Sequence, residues 1–378
     1  MRILCAPDKF KGTLSALEAA GAMADGARRV APDAEIDVCP VADGGEGTLA
    51  VLAWPLGLEI RTANVTGPLG SRVTASWGIS VDRRSAVVEL AQAAGLSLVP
   101  MAERDPTRTT TVGVGELIRL ALDEGCTEII VALGGSATCD GGAGVAGALG
   151  AVFLDADGRP LPAPVVGAAL ERVAAVRRVE LPARLRVACD VASPLLGEQG
   201  AASLFAPQKG ATEAQVAELE RGLSQLSRCV EVIDDGKLHL RPGAGAAGGA
   251  GFGLAALCGG QLERGADLVL DAIGFDERCR QADLVLTGEG RLDAQSLFGK
   301  AAVRVARRGD RAHVPVAAIA GEVDPQVERL LNVACRGLKG PWSLREEVGE
   351  AAFADPAESL RQVSAKVIGQ YLIRPSRA

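Results

Sequence analysis

Ile3-Leu4-Cys5-Ala6-Pro7-Asp8-Lys9, then Ser15-Ala16-Leu17-Glu18, then Ile36-Asp37-Val38-Cys39-Pro40-Val41-Ala42-Asp43-Gly44-Gly45 read in order as a buried strand, a capped helix and a second strand. The apolar run Ile3 to Ala6 is short enough for a strand. Ser15 with Glu18 three positions on is a capping box, and it opens a helix that reaches about Val30, ahead of Pro32. Ile36 to Val41 then delivers Asp43 at its carboxyl end, and a second helix follows, broken near Pro55 and Gly57. A β-α-β-α succession of this kind begins a doubly wound parallel sheet.

The pattern changes at about Leu58. Leu58 to Val65, Val73 to Val81 and Ala86 to Leu90 read as successive strands joined by turns such as Gly67-Pro68 and Asp82-Arg83-Arg84, an antiparallel element. A helix at Gly115 to Leu122, a strand at Glu128 to Leu133 and a helix ending near Gly150 restore the α/β alternation. Leu185 to Cys189 is a strand that places Asp190 at its end, and Thr212-Glu213-Ala214-Gln215 caps a helix running to about Cys229. Asp283 to Thr287 and Val314 to Ala320 are again short buried strands, each followed by Gly-Glu. The last part therefore repeats the opening architecture. The expectation is an α/β protein of two domains, one discontinuous (1–60 and 277–378) and one inserted (61–276), with 105–150 assignable to either.

Composition agrees. The 378 residues suit two cores better than one, and 48% apolar content with only 3% aromatics supplies Ala, Val and Leu for helices packed on sheets. A net charge of -7 with no Lys/Arg run disfavours nucleic acid and anionic membranes as partners. Gly243 to Leu262 is uncharged, but eight of its residues are Gly, so it is no membrane span. Asp8 arrives before a signal-peptide apolar region could form, which predicts a cytoplasmic protein. Nine Cys without a C-x-x-C pair, and only two His, predict reduced thiols and no zinc site.

Asp8, Asp43, Asp190 and Asp293 all lie at or just after strand ends, where loops converge in an open α/β sheet. Lys9, Lys11, Lys209 and Lys300 sit beside Gly or at similar ends. Carboxylates for a metal and lysines for phosphate oxygens are what phosphoryl transfer requires. Asp140, Ser136 and Thr138 also have a plainer reading as helix N-caps. G-x-G-x-x-G occurs at Gly142, Gly144, Gly147 and at Gly243, Gly245, Gly248, but neither block follows a strand directly, so an NAD-dependent dehydrogenase is the weaker alternative. No G-x-x-x-x-G-K-[ST] exists, and no His neighbours a nucleophile, which leaves P-loop and Ser-His-Asp chemistry without support.

Seven blocks carry a resemblance: Ala6-Pro7-Asp8-Lys9-Phe10-Lys11-Gly12, Val41-Ala42-Asp43-Gly44-Gly45-Glu46-Gly47-Thr48, Leu133-Gly134-Gly135-Ser136-Ala137-Thr138, Ala188-Cys189-Asp190-Val191, Phe205-Ala206-Pro207-Gln208-Lys209-Gly210, Pro242-Gly243-Ala244-Gly245-Ala246-Ala247-Gly248-Gly249 and Thr287-Gly288-Glu289-Gly290-Arg291-Leu292-Asp293. In this order they resemble the bacterial glycerate kinase family over nearly the whole chain. The resemblance implies ATP and Mg²⁺ as cofactors, D-glycerate as substrate, 2-phosphoglycerate as the common product, and a flavodoxin-like domain paired with a second α/β domain. A homodimer is compatible with it, and a silent sensor of nucleotide or hydroxy acid is a second alternative. The chemistry of such a transfer, laid on these residues, predicts a catalytic set of Asp190 as proton acceptor with Asp8, Lys9 and Lys300. Asp43, Gly44, Gly45 and Arg291 would face the substrate, and Asp293 or Asp43 the metal. Lys11, Gly134, Gly135, Ser136, Gly243, Gly245 and Gly248 would face the nucleotide. The chain departs from the family pattern at Cys139, where Asn is usual, and at Phe298 and Ala302, where His and Pro are usual.

Overall fold

The structure is a computed structural model that describes residues 1–231, 237–293, 296, 300–327, 330, 335 and 338–373. Phe298 lies outside the described residues. The chain enters through two strands, β1 (Arg2–Cys5) and β2 (Glu35–Val38). It then makes β3 (Leu58–Thr66), β4 (Arg72–Ser80), β5 (Ser85–Glu89), β6 (Glu128–Ala132), β7 (Val152–Leu154), β8 (Ala175–Arg177), β9 (Arg184–Cys189) and β10 (Gln261–Arg264). Three more close it: β11 (Leu284–Leu292), β12 (Val316–Val323) and β13 (Leu338–Ser343).

Two compact units result, Met1–Asp43 with Ala266–Ala378, and Gly44–Gly265. The breaks fall at 43/44 and 265/266, not at the expected 60/61 and 276/277. The reason is local. The helix Thr48–Ala53 is tied to the second unit through Leu49, whose N–H donates to the buried Glu89 carboxylate at 2.7 Å. Asp267, at the other junction, pairs with Arg304 and Arg308 of the first unit. Residues 105–150 belong wholly to the second unit.

In the first unit every strand pairing is parallel, in the order β2-β1-β11-β12-β13. Numbered within the unit, that is 2-1-3-4-5, the flavodoxin-like order, whose strand order reverses between β1 and β11. The capping box forms as the spacing predicts: Ser15 N–H donates to Glu18 at 2.8 Å, and Ser15 Oγ accepts from Glu18 N–H at 3.2 Å. The helix it starts, Ala16–Val30, packs on Pro356–Ile373, with the bidentate pair Arg29–Glu358 at 2.7 and 2.9 Å along the seam. Ile3, Met23, Leu286, Ile319 and Leu360 are among the side chains closing the core between them and the sheet.

The second unit is built on a mixed sheet, β10-β9-β6-β5-β4-β3, parallel from β10 to β5 and antiparallel from β5 to β3. β7 and β8 form a separate antiparallel pair. The glycine block 242–249 leads into the helix Ala246–Cys258, whose first turn is broken by Ala247, Gly248 and Gly249 with positive φ. It is almost wholly buried, which accounts for its uncharged composition. Among the described residues no helix is long and apolar enough to cross a membrane.

Candidate functional site

After β1 the chain does not leave the sheet at once. Ala6 N–H donates to Leu286 O at 2.7 Å, Asp8 N–H to Gly288 O at 2.8 Å, and the buried Thr287 hydroxyl to Ala6 O at 2.8 Å. β11 can run this close because it carries glycine. A Cβ at Gly290 would lie 2.9 Å from Lys11 N, and one at Gly288 only 2.0 Å from Ile319 O. Asp8, Lys9 and Glu289 are thereby set beside the carboxyl ends of β1 and β11, where the strand order reverses and where open α/β sheets take ligands.

Four carboxylates and two lysines of the first unit interact here. Lys9 Nζ stands 3.3 Å from Asp43 Oδ1 and 3.9 Å from Asp8 Oδ1. Lys300 Nζ stands 3.5 Å from Asp293 Oδ1 and 3.8 Å from Glu289 Oε2. Asp8 is 4% exposed; burial, reinforced by repulsion from Asp43, pushes its carboxyl up to about 7, against the pull of Lys9 and of the Lys9 N–H, which donates to it at 2.6 Å. Glu289 is 6% exposed, and burial, with Asp8 and Asp43 adding to it, pushes it up to about 8 although Lys300 opposes the shift. Asp293 is held in a turn with Ser296, whose N–H donates to Asp293 Oδ1 at 3.2 Å. Lys11 and Arg291, both expected here, are exposed, Lys11 on the Phe10–Leu14 turn and Arg291 on β11 opposite Glu322.

The remaining expected residues belong to the second unit. Asp190 follows β9 and is half-buried. Gly45 and Gly134 are packed backbone to backbone, since a Cβ at Gly134 would lie 2.4 Å from Gly45 Cα, and Gly44 adopts φ +82° against Gly265. The Ser136 hydroxyl and the Thr138 carbonyl both accept from Lys209 Nζ, at 2.8 and 2.7 Å. Lys209 is 2% exposed, and burial pushes its ammonium down to about 8. Asp140 takes the structural reading: its fully buried carboxylate accepts from Thr111 N–H, Thr111 Oγ1, Gly142 N–H and Gly144 N–H between 2.8 and 3.2 Å, ahead of the helix Ala143–Leu149. Gly243, Gly245 and Gly248 press on Cys189 Sγ, Pro194 O and Thr138 O, and each explains its lack of a side chain by that contact. Cys139 is fully buried in the same layer, its thiol pushed up to about 12 by burial, and Ala302 is buried in the helix Ala301–Arg311.

Glu289 is the member that sequence reasoning passed over. It stands in the Gly288-Glu289-Gly290 run, expected to lie past the strand, whereas β11 continues through it to Leu292. Glycine on both sides of an acid next to a buried run was the available signal.

Among the described residues no three Asp, Glu, His or Cys side chains are gathered closely enough to hold a metal ion by themselves. The donor set still suits a hard cation. It consists of carboxylate oxygens alone, and the buried Glu289 Oε1 has no hydrogen-bond partner among the described residues. Mg²⁺ commonly takes one or two carboxylates and fills its octahedron with water and phosphate oxygens.

A model of the glycerate kinase family matches residues 3–372. The chain belongs to the glycerate kinase family. Its membership places it among the phosphotransferases. The glycerate 2-kinase of Escherichia coli strain K12 is 46% identical over 97% of each chain, and the glycerate kinase of Halalkalibacterium halodurans 44% identical over 90% of each. A crystal structure of a candidate glycerate kinase 2 from Salmonella typhimurium LT2 superposes with a TM-score of 0.80 at 39% identity, covering 98% of both chains. The family's two α/β domains are those described above.

Proposed function

We propose that the chain phosphorylates D-glycerate with ATP and Mg²⁺, at the 2-hydroxyl, to give 2-phosphoglycerate. The observation that carries this reading is the group of Asp8, Lys9, Asp43, Glu289, Asp293 and Lys300 at the strand-order reversal of the first unit. The names of the relatives support the substrate, and the Escherichia coli relative's name supports the 2-position.

In this reading Lys9 and Lys300 donate to phosphate oxygens and, with Lys11, offset the charge that develops on them. The carboxylates of the group, Asp43 and Asp293 at its more exposed side and Asp8 and Glu289 behind, are those available to a magnesium ion, which when bound neutralises phosphate charge. The Arg291 guanidinium is assigned to the glycerate carboxylate, for which an arginine fork has matching geometry. Asp190 accepts the proton of the attacking hydroxyl. Little covalent work falls to the protein, so positioning and electrostatics supply the acceleration.

The test is a coupled assay. The chain is given ATP, Mg²⁺ and D-glycerate, with enolase, pyruvate kinase and lactate dehydrogenase but no phosphoglycerate mutase, and NADH loss is followed. NADH loss supports the full reading. Glycerate-dependent ADP release without NADH loss would move the product to the 3-phosphate, and absence of ADP release would overturn the kinase reading.

A further inference from the structure

We infer that Asp8 and Glu289 are the carboxylates that meet a divalent cation in the first unit, while Asp43 and Asp293 serve to hold Lys9 and Lys300. The inference deepens the proposed function, on whose magnesium requirement it rests. It reverses the expectation from the sequence, which gave the metal to Asp43 and Asp293.

Two observations carry it, the first of them the division of the lysines. Each ammonium lies nearer the more exposed carboxylate: Lys9 at 3.3 Å from Asp43 against 3.9 Å from Asp8, and Lys300 at 3.5 Å from Asp293 against 3.8 Å from Glu289. The side chains so favoured are 26% and 29% exposed, and the two left behind only 6% and 9%. Among the described residues the buried member of each pair is therefore the carboxylate farther from its lysine. Burying a carboxylate without a matching cation is costly, and more so where water cannot reach it.

The second observation is the orphaned oxygen. Glu289 Oε1 is inaccessible to solvent and makes no hydrogen bond among the described residues. Most buried acceptors have a hydrogen-bond partner, and a bound ion or water is among the things that account for an exception. Among the described residues Ser296 and Lys300 act on the same carboxyl but leave Oε1 without a hydrogen bond, and a small hard cation would supply charge and coordination together. Two protein oxygens suffice for magnesium or manganese, which agrees with the absence of any three-residue cage among the described residues.

The experiment measures Mn²⁺ binding by the full chain, alone and with ADP, from the electron paramagnetic resonance signal of free Mn²⁺. Asp8→Asn and Glu289→Gln should each weaken binding by about tenfold or more, the loss that disturbing a metal's surroundings already brings. Asp43→Asn and Asp293→Asn should change it by less than about threefold on the same scale. Unchanged binding by Glu289→Gln, or larger losses in the Asp43 and Asp293 variants, would overturn the inference. Thermal unfolding checks that each variant folds. If an amide variant does not, Glu289→Asp keeps the charge and withdraws the oxygen by one methylene; weaker Mn²⁺ binding then supports the assignment and unchanged binding overturns it. Turnover of the unaltered chain is measured separately. Manganese affinities in the expected ranking with no glycerate phosphorylation would sink the proposed function alone, and phosphorylation with affinity indifferent to Glu289 would sink this inference alone.

Discussion

Asp8 binds its proton more tightly in the folded chain than in an unfolded one, because burial and Asp43 disfavour its charge. The stability contributed by that proton is fully present below about pH 4, the unfolded value, and is lost as pH rises through the folded value near 7. Glu289 extends the same fall to about 8. Asp8→Asn keeps the shape and removes the titration, so its urea-unfolding free energy should decline less than that of the unaltered chain between about pH 4 and pH 7. Parallel curves would show that Asp8 is not held in the surroundings described. Two kinetic variants test the roles proposed above. Lys9→Ala should lower kcat/KM for ATP by about 10²-fold, the scale of one lost charge-stabilising donor; normal kinetics with ATP would release Lys9 from the phosphates. Asp190→Asn should lower kcat by about 10²-fold or more with little change in KM for glycerate. Near-normal turnover would remove Asp190 as the proton acceptor.

At the scale of elements, the helix Ala143–Leu149 depends on a buried acid that does no chemistry. Asp140→Ala would strand the Thr111, Gly142 and Gly144 donors in the interior, at a cost of about 3 kcal/mol or more, read from the denaturant midpoint. A loss under 1 kcal/mol, on the same scale, would mean that water replaces the carboxylate. The strands beside which the expected acids lie were legible in the sequence because each is a short apolar run ended by Pro, Asp or Gly, as at Cys5 to Asp8 and Cys189-Asp190, and because the Ser15 and Glu18 pair has one reading. β10 and β13 were not. Both lie at sheet edges, where Gln261-Leu262-Glu263-Arg264 and Leu338-Lys339-Gly340-Pro341 carry no apolar run to report burial. The helix Ala246–Cys258 was hidden for the opposite reason: its glycines are unfavourable to a helix taken alone, and the close backbone of Thr138, Gly141 and Gly243 explains them. Of the candidate site, the aspartates and Lys9 could be read from their places after strands, and Lys300 from the glycine before it. Glu289 was passed over despite its flanking glycines, because the extension of β11 past Thr287 depends on its pairing with β12.

For the whole molecule, the consequential contact is a small one. A Cβ on Gly44 would lie 2.8 Å from Gly265 Cα, so the second unit begins and ends at one point. β1 and β11, by contrast, join residues 281 positions apart. Closing so long a ring from an open coil is entropically slow, but a folded Gly44–Gly265 unit shortens the effective path to a few residues. Pulse-labelled hydrogen exchange during refolding should therefore find amides of β6 and β9 protected before those of β1 and β11. Gly248→Ala, whose new methyl would collide with Thr138 O, should delay β1 and β11 as well, although the altered residue is in the other unit. Early protection of β1 and β11 would refute this order. The contact thus acts as a pinch in the chain's contour, which lets two distant ends of the sequence meet as near neighbours once the excursion between them has condensed.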